Sequence, residues 1–185
     1  LADVVALSKA SPRSLNFALT GIGSSGHLAM ELLKQAAGVD FNAVPYKGDA
    51  PATVDLLGGQ VDLLFVNSVV ALPHIQAGKL RALAVTGATR NPMLADVPTM
   101  AEVLKPHAVA ESWTGVAGPA GVPAPVVELL NREIGAVLAL PALRDKLAAS
   151  GTTTMPSTVA QTDAFVRAEV EKWAAVVKAA NMKVE

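Results

Sequence analysis

The stretch LNFALTGIGSSGHLAMELLKQAAG, residues 15–38, decides the fold that we predict. It begins with the short apolar run LNFALT, which is typical of a strand, and passes through glycines and serines into a helical run from about His27 to Ala37. Gly38 follows the last helical residue, a position where glycine often ends a helix. The stretch therefore predicts a strand, a tight turn and a helix.

The same order recurs along the next fifty residues. Pro45 either places the second strand at the edge of the sheet or ends it, and Pro73 is expected in the first turn of its helix. Because parallel strands need crossover connections, the alternation predicts an α/β fold with a mainly parallel sheet and helices on both faces. A short helix over residues 1–9 is predicted before the first strand. The predicted strands are 15–20, 41–46, 61–66 and 80–86, and the predicted helices between them are 27–37, 50–57 and a short one that follows Asn67-Ser68 and ends near Gln76.

The sequence pattern changes after Gly87, and the predicted boundary of the α/β lobe lies near residue 108. Residues 112–118 (SWTGVAG) are a further candidate strand, and three predicted helices follow it, over 125–140, over 141–149 and from about residue 158 to Ala180. Thr158 and Gln161 have the spacing of a capping box at the start of the last helix. We therefore predict an α/β lobe over residues 1–108, and a crossover segment with C-terminal helices over residues 109–185.

Composition excludes several classes of protein. The 185 residues are 51% hydrophobic, and 15 basic against 16 acidic side chains leave a net charge of -1. This balance lacks the basic field of a nucleic-acid binder and the polybasic segment of a membrane-surface protein. The chain has no cysteine, which excludes disulfides, thiolate metal sites and a cysteine nucleophile. No apolar run reaches the length of a membrane span, and the first fourteen residues do not resemble a signal peptide.

The turn GIGSSGH, residues 21–27, is the strongest candidate for chemistry. It leads from a strand into a helix N-terminus, which carries partial positive charge, and its glycines let backbone N–H groups face outward while Ser24 and Ser25 add hydroxyl donors. These features predict a site for a carboxylate or a phosphate. The alternative is an ordinary tight turn with a serine cap.

The same turn matches the G-x-G-x-x-G pattern of dinucleotide-binding proteins. That function also needs an acidic residue at the end of the second strand, to bind the ribose hydroxyls. Asp40 stands before this strand, whereas Tyr46 and Lys47 end it. A fragment of an NAD-dependent oxidoreductase is therefore kept only as an alternative.

Two further turns are expected at the same edge of the sheet. Tyr46 and Gly48 end the second strand, and Asn67 and Ser68 end the third. Ligands of open α/β sheets bind outside the carboxyl ends of the strands. The alternative for each residue is ordinary turn chemistry, with Tyr46 half-buried and Asn67 as a helix cap.

Other chemistry finds little support in the sequence. His27, His74 and His107 have no metal-ligand spacing, and we expect neither a metal nor a cofactor. Trp113 and Trp173 are expected to pack in the core or between lobes. No set of nucleophile, base and orienting residue is evident. We therefore expect a binding module and not an enzyme, with a ligand-free interaction domain as a third alternative.

Several runs of the chain resemble the Bug-type solute receptors of tripartite tricarboxylate transporters. These runs are residues 15–67, 72–103, 112–134 and 165–185, that is LNFALTGIGSSGHLAMELLKQAAGVDFNAVPYKGDAPATVDLLGGQVDLLFVN, LPHIQAGKLRALAVTGATRNPMLADVPTMAEV, SWTGVAGPAGVPAPVVELLNREI and FVRAEVEKWAAVVKAANMKVE. The resemblance implies a lobe like those of type II periplasmic binding proteins, with a C-terminal helical arm.

The resemblance also implies a function. Such receptors are periplasmic, close two lobes around a small carboxylate and present the closed form to membrane permease subunits. Their ligands are di- and tricarboxylates, acidic amino acids and aromatic acids. By position, the ligand-binding residues implied for this chain are Gly23, Ser24, Ser25, Gly26, His27, Tyr46, Gly48, Ala50, Asn67 and Ser68.

Two departures from the family pattern qualify this expectation. Many relatives have aspartate where this chain has Val66, which weakens the case for an amino-acid ligand. The chain also lacks the PFPPGG-like loop of the first lobe, so we expect a second lobe with its C-terminal arm. In that case the helices from Pro125 onward expose apolar faces, and self-association through this arm is expected.

Overall fold

The computed structural model describes residues 1–106 and 108–182. In its first part, strands and helices alternate as predicted. The elements are α1 (Ala2–Ala10), β1 (Asn16–Leu19), α2 (Ser25–Ala37), β2 (Asn42–Pro45), α3 (Asp49–Leu57), β3 (Leu63–Leu64) and α4 (Ser68–Gln76). A 3-10 turn (Pro92–Leu94) and four helices follow, α5 (Met100–Val103), α6 (Ala124–Leu138), α7 (Pro141–Ala149) and α8 (Val159–Ala179).

The three strands form one parallel sheet in the order β2-β1-β3. Phe17 of β1 stands opposite Ala43 of β2 and Leu63 of β3. Both expectations for Pro45 are confirmed, because β2 is an edge strand and Pro45 is its last residue. The sheet therefore has all its carboxyl ends on one side.

The two faces of the sheet bury different clusters, because successive side chains of a strand point to opposite faces. Phe17 and Leu19 pack with Met30 and Leu33 of α2, while Ala18 packs with Ala52 of α3. This arrangement confirms the prediction of helices on both faces. The first cluster includes three tilted phenylalanine rings, Phe17, Phe41 and Phe65, with centroids 5.2 and 5.3 Å from that of Phe17.

The prediction of a fourth strand over residues 80–86 is wrong. Its only ladder contact among the described residues is a single parallel bridge between Val85 and Thr99. The Val85 amide donates to Pro98 O at 2.9 Å, and the Met100 amide donates to Val85 O at 2.8 Å. The segment thus pairs with the residues at the start of α5. An apolar run in the sequence does not indicate which distant segment it will pair with.

Two other local predictions are also wrong. Residues 112–118 form no strand, and all seven of these residues are exposed. Pro73 lies inside α4 and not in its first turn, because the helix begins at Ser68 after the N-cap Asn67.

The described chain divides into two compact units. The first contains the described residues of 1–112 and 176–182, and the second contains residues 113–175. The separate division at residue 108, made from the sequence, stays a prediction. No helix among the described residues is long and apolar enough to cross a membrane.

The second unit is helical, and its side chains confirm the capping box. The Thr158 amide donates to Gln161 Oε1 at 2.9 Å, and the Gln161 amide donates to Thr158 Oγ1 at 3.2 Å. Trp113 is 43% exposed and packs edge-on against Phe165, with ring centroids 5.4 Å apart. This tryptophan is therefore a packing residue at the surface of its unit and not a core residue.

Candidate functional site

Three helices begin at the carboxyl edge of the sheet. Each strand leads directly into a helix, β1 into α2, β2 into α3 and β3 into α4, and the strands are parallel neighbours. The N-termini of these helices therefore lie along one edge, and each contributes about half a positive charge. We call the three connecting segments, residues 20–27, 46–50 and 67–68, the rim. All ten predicted ligand-binding residues lie on the rim.

The segment before α2 is shaped by a glycine and a cap. Gly23 has a φ of +74°, in the left-handed region that favours glycine. Ser24 is the N-cap, and its Oγ accepts from the His27 amide at 3.3 Å. The Thr20 hydroxyl also donates to Ser24 Oγ, at 3.3 Å. With two donors on its oxygen, the Ser24 hydroxyl keeps its own hydrogen for a further acceptor.

Not every amide of this segment faces outward as predicted. The Gly23 amide donates to His27 Nδ1 at 3.1 Å, and the Ser24 amide donates to Gly21 O at 3.2 Å. Within the described chain, the amides of Ser25 and Gly26 donate to no protein acceptor, since the first helical turn supplies none. The donors open to a ligand therefore include these two amides, the exposed Ser25 hydroxyl and the hydrogen of the Ser24 hydroxyl.

Gly26 lies close to the end of the third strand. A Cβ on Gly26 would stand 2.7 Å from Phe65 O, closer than such atoms approach in proteins. Glycine at this position lets the start of α2 approach the segment that leads into α4. The first segment of the rim thus lies directly against Phe65, two residues before the third segment.

The second segment is tied to the first through the backbone. The Gly48 amide donates to Thr20 O at 2.9 Å, and the Tyr46 amide donates to Leu19 O at 2.8 Å. The Tyr46 hydroxyl donates to Asp55 Oδ2 at 2.8 Å, which raises the pKa of Tyr46. This bond directs the phenol to α3, so a donor role for Tyr46 toward a ligand loses support. Ala50 is exposed in the first turn of α3.

The third segment presents two polar side chains. Asn67 is the N-cap of α4, but its exposed side chain makes no capping bond. Ser68 is partly buried, and its Oγ accepts from Asn91 Nδ2 at 3.3 Å. Because Asn91 donates to this oxygen, the Ser68 hydroxyl keeps its hydrogen for another acceptor.

The charges along the rim favour an anion. Neither α2 nor α4 has an acidic residue in its first turn, so the partial charges of these two helices are not neutralised there. Asp49 in the first turn of α3 is the acidic side chain of the rim, and Lys47 stands two residues before it. Hydroxyl and amide donors at helix N-termini can bind a carboxylate without any cationic side chain.

The acidic residue that a dinucleotide site needs is at the other end of β2. Asp40 precedes this strand and pairs with Lys34 at 3.1 Å and with Arg13 at 3.9 Å. The Phe41 amide donates to the same carboxylate at 3.0 Å. Asp40 therefore lies at the amino edge of the sheet, away from the glycine-rich turn, and its carboxylate is held there by these contacts.

The described histidines do not cluster at the rim. His27 lies at its first segment and His74 in α4, and His107 lies outside the described residues. Among residues 1–106 and 108–182, no three side chains of the metal-binding types are grouped to hold an ion.

Sequence reasoning missed two residues that act on the rim. Thr20 bonds Ser24, and Asn91 bonds Ser68. Thr20 is the last residue of a predicted strand, directly before the glycine-rich turn, and this position is a usable signal. Asn91 is 23 residues from Ser68 in the chain, and only its place before Pro92 indicated a turn at all.

Comparison with known proteins gives a consistent match along the whole chain. The family model described as the tripartite tricarboxylate transporter family receptor matches residues 1–182. Protein BugT of Bordetella pertussis is 40% identical over 182 residues, which are 98% of this chain and 56% of that protein. A protein of Pseudomonas sp. strain P51 is 38% identical, over 92% of this chain and 52% of its own length.

Solved structures show the same fold. An R. palustris protein with adipate superposes with a TM-score of 0.90 at 37% identity, over 98% of this chain and 61% of its own. The periplasmic binding protein BugD has a TM-score of 0.87 at 33% identity, over 100% of this chain and 62% of its own. MatC from Rhodopseudomonas palustris with bound malate has a TM-score of 0.80 at 30% identity, over 96% and 61%. The chain thus spans about half to three-fifths of the length of these relatives.

Proposed function

The chain belongs to the tripartite tricarboxylate transporter receptor family, and from this membership we propose that its rim binds one carboxylate group of a small organic acid. The observation that carries the proposal is the set of unpaired donors at the start of α2, the amides of Ser25 and Gly26 with the Ser25 hydroxyl. Charge-assisted bonds of this kind are stronger than neutral ones.

Two of the relatives support the choice of ligand. The R. palustris protein is described with adipate and MatC with malate, and both ligands are small dicarboxylates. We infer that this chain binds an acid of that class. Val66 precedes Asn67 at the rim and supplies no carboxylate for an ammonium group, so a ligand without an amine is favoured over an amino acid.

We further propose a two-lobed receptor in the periplasm. The chain spans 56% of BugT, so the rest of such a protein is long enough to form a second lobe. Closure of two lobes around the acid would remove the carboxylate from water and strengthen each hydrogen bond to it. The closed form would then be presented to the permease subunits of a tripartite transporter.

Calorimetric titration tests the proposal. The 185-residue chain and a version joined to a first lobe are each titrated with malate, adipate, citrate and NAD. We expect the two-lobed version to bind at least one of the acids and the single chain to bind it more weakly. The matched control is adipamide, which has the length of adipate but no charge, and it should not bind.

Two outcomes would contradict the proposal. Equal binding of adipate and adipamide would show that the rim does not recognise charge. Binding of NAD without any response to the acids would favour the alternative of an NAD-dependent oxidoreductase fragment.

A further inference from the structure

The ring of His27 is bonded to the segment that precedes it in the chain. Its Nδ1 accepts a hydrogen bond from the Gly23 amide at 3.1 Å, and its own amide donates to Ser24 Oγ at 3.3 Å. His27 thus makes two hydrogen bonds to the preceding turn, one through its backbone amide and one through its side chain. The two bonds enclose Ser24, Ser25 and Gly26.

The first of these bonds requires one protonation state. An Nδ1 that accepts from an amide carries no proton, so the hydrogen of the neutral ring is on Nε2. Partial burial lowers the pKa of His27 below its usual value, and the charge of Lys34 acts in the same direction. Glu31 acts in the opposite direction but does not reverse the shift. At neutral pH the ring is therefore uncharged and able to accept.

We propose that His27 is a positioning residue that holds the turn in its binding shape only while its ring is neutral. The Gly23 bond holds Gly23 and Ser24 against the first turn of α2, where the Ser25 and Gly26 amides are open to the ligand. A proton on Nδ1 would face the Gly23 N–H, donor against donor, and the turn would open. This inference rests on the proposed function of the same rim.

A different role for His27 makes the opposite prediction. A protonated ring that contacted the ligand directly would attract a carboxylate, and binding would strengthen as the pH falls. In our proposal binding weakens over the same range, because the turn is lost. The sign of the pH dependence therefore separates a ligand contact from a positioning role.

Few other charges act at this position. Glu31 and Lys34 stand on the same helix and are paired with each other at 3.0 Å. Residues 20–26, before the ring in the chain, and residues 65–70, after β3, contain no ionisable side chain. The turn after β2 adds Lys47 and Asp49 to the same edge of the sheet. The pH dependence can thus be assigned by replacing one side chain at a time.

The first measurement needs no ligand. The ring nitrogens of His27 and the Gly23 amide are followed by NMR of the labelled protein between pH 8 and pH 5. We expect an unprotonated Nδ1 at high pH, and a Gly23 amide whose protection from exchange is lost as the ring titrates. A proton on Nδ1 at pH 8, or a Gly23 amide indifferent to the ring, would overturn the proposal and leave the proposed function untouched.

The second measurement compares adipate affinity in three variants over the same range. His27→Asn places a non-titrating acceptor near the position of Nδ1, His27→Leu removes the acceptor, and His74→Asn removes the histidine of α4 as a control. We expect the affinity of the wild type to fall about fivefold more than that of His27→Asn as the ring titrates, the effect of one hydrogen bond. The Asn variant also corrects for protonation of adipate itself.

Each outcome of this comparison is informative. His27→Leu should bind weakly at every pH, and His74→Asn should keep the pH dependence of the wild type. An affinity that rises at low pH in the wild type alone would overturn the positioning role. If adipate, malate and citrate fail to bind at any pH, the proposed function fails, while the NMR measurement still decides whether the bond from Gly23 to His27 exists.

Discussion

The carbonyl oxygen of Phe65 lies 2.7 Å from the point where a Cβ on Gly26 would stand. No side chain larger than hydrogen fits at this contact, because the obstacle is backbone and cannot rotate away. The start of α2 and the end of β3 can approach each other only through this glycine.

Replacement of Gly26 by alanine should therefore destabilise the protein. The added methyl group must push the two segments apart, and we expect a loss of about 2 kcal/mol in the free energy of unfolding, as for an overpacked core. Urea denaturation measures the loss. The control is Gly135→Ala in α6, where an added Cβ meets no atom within 4 Å beyond the local backbone of its own helix and where alanine should stabilise the helix by about 0.5 to 1 kcal/mol. Equal effects at the two glycines would contradict the prediction.

Ser25→Ala should weaken carboxylate binding without destabilising the fold. The side chain is exposed and no bond joins it to another described residue, so its loss removes only a donor to the ligand. We expect about a tenfold lower affinity for the preferred acid in calorimetry, as for a hydrogen bond to a charged group. Ser14→Ala, in the loop before β1, removes an exposed serine bonded only to Ser11 O and should leave the affinity unchanged. A normal affinity in the Ser25 variant would count against an anion site at this turn.

Stability should decrease in acid through Glu169. Burial alone would raise the pKa of Glu169, but hydrogen bonds from Lys172 at 2.8 Å and Trp173 at 2.9 Å outweigh burial and lower it. A carboxylate with a lowered pKa stabilises the folded state above its unfolded pKa, and the contribution is lost as the pH falls through the folded value. Tryptophan fluorescence during thermal unfolding reports this region, since Trp173 bonds Glu169. Glu169→Gln should flatten the decrease, whereas the exposed Glu171→Gln should not.

Association through α6 can be tested by light scattering. Leu129, Leu130 and Val137 are 45%, 51% and 51% exposed on this helix, an apolar surface of the kind that binds other chains. We expect the apparent mass of the 185-residue chain to rise with concentration, and Leu130→Gln to reduce the rise. Glu128→Gln changes an exposed polar position of the same helix and serves as the control. A constant monomer mass at high concentration would refute the prediction.

The glycine-rich turn shows how much of the site could be predicted. The position of residues 21–27 follows from the elements next to them in the chain. A strand precedes them and a helix follows them, so the turn must lie at the carboxyl end of the strand. The same is true of Asn67 and Ser68. The hydrogen-bond partners within residues 21–27 could not be predicted from the sequence. The bond from the Gly23 amide to His27, for example, depends on the orientation of the imidazole ring.

Contacts distant in the chain account for two further differences from the sequence analysis. Residues 80–86 have the composition of a strand, yet Val85 pairs with Thr99 and not with the sheet. An apolar run indicates burial but not its partner, which is set by the packing of the whole unit. Asn91 beside Ser68 escaped prediction for the same reason.

Pro45 has a consequence for solubility. It ends the edge strand β2, whose outer side has no neighbour in the described sheet. An unpaired strand edge is a template on which another chain can add a strand, and proline has no N–H with which to bond one. The strand also stops after four residues, too short for a stable intermolecular ladder. The edge beside the rim is thereby protected from aggregation, and the rim can stay open to water and to its ligand.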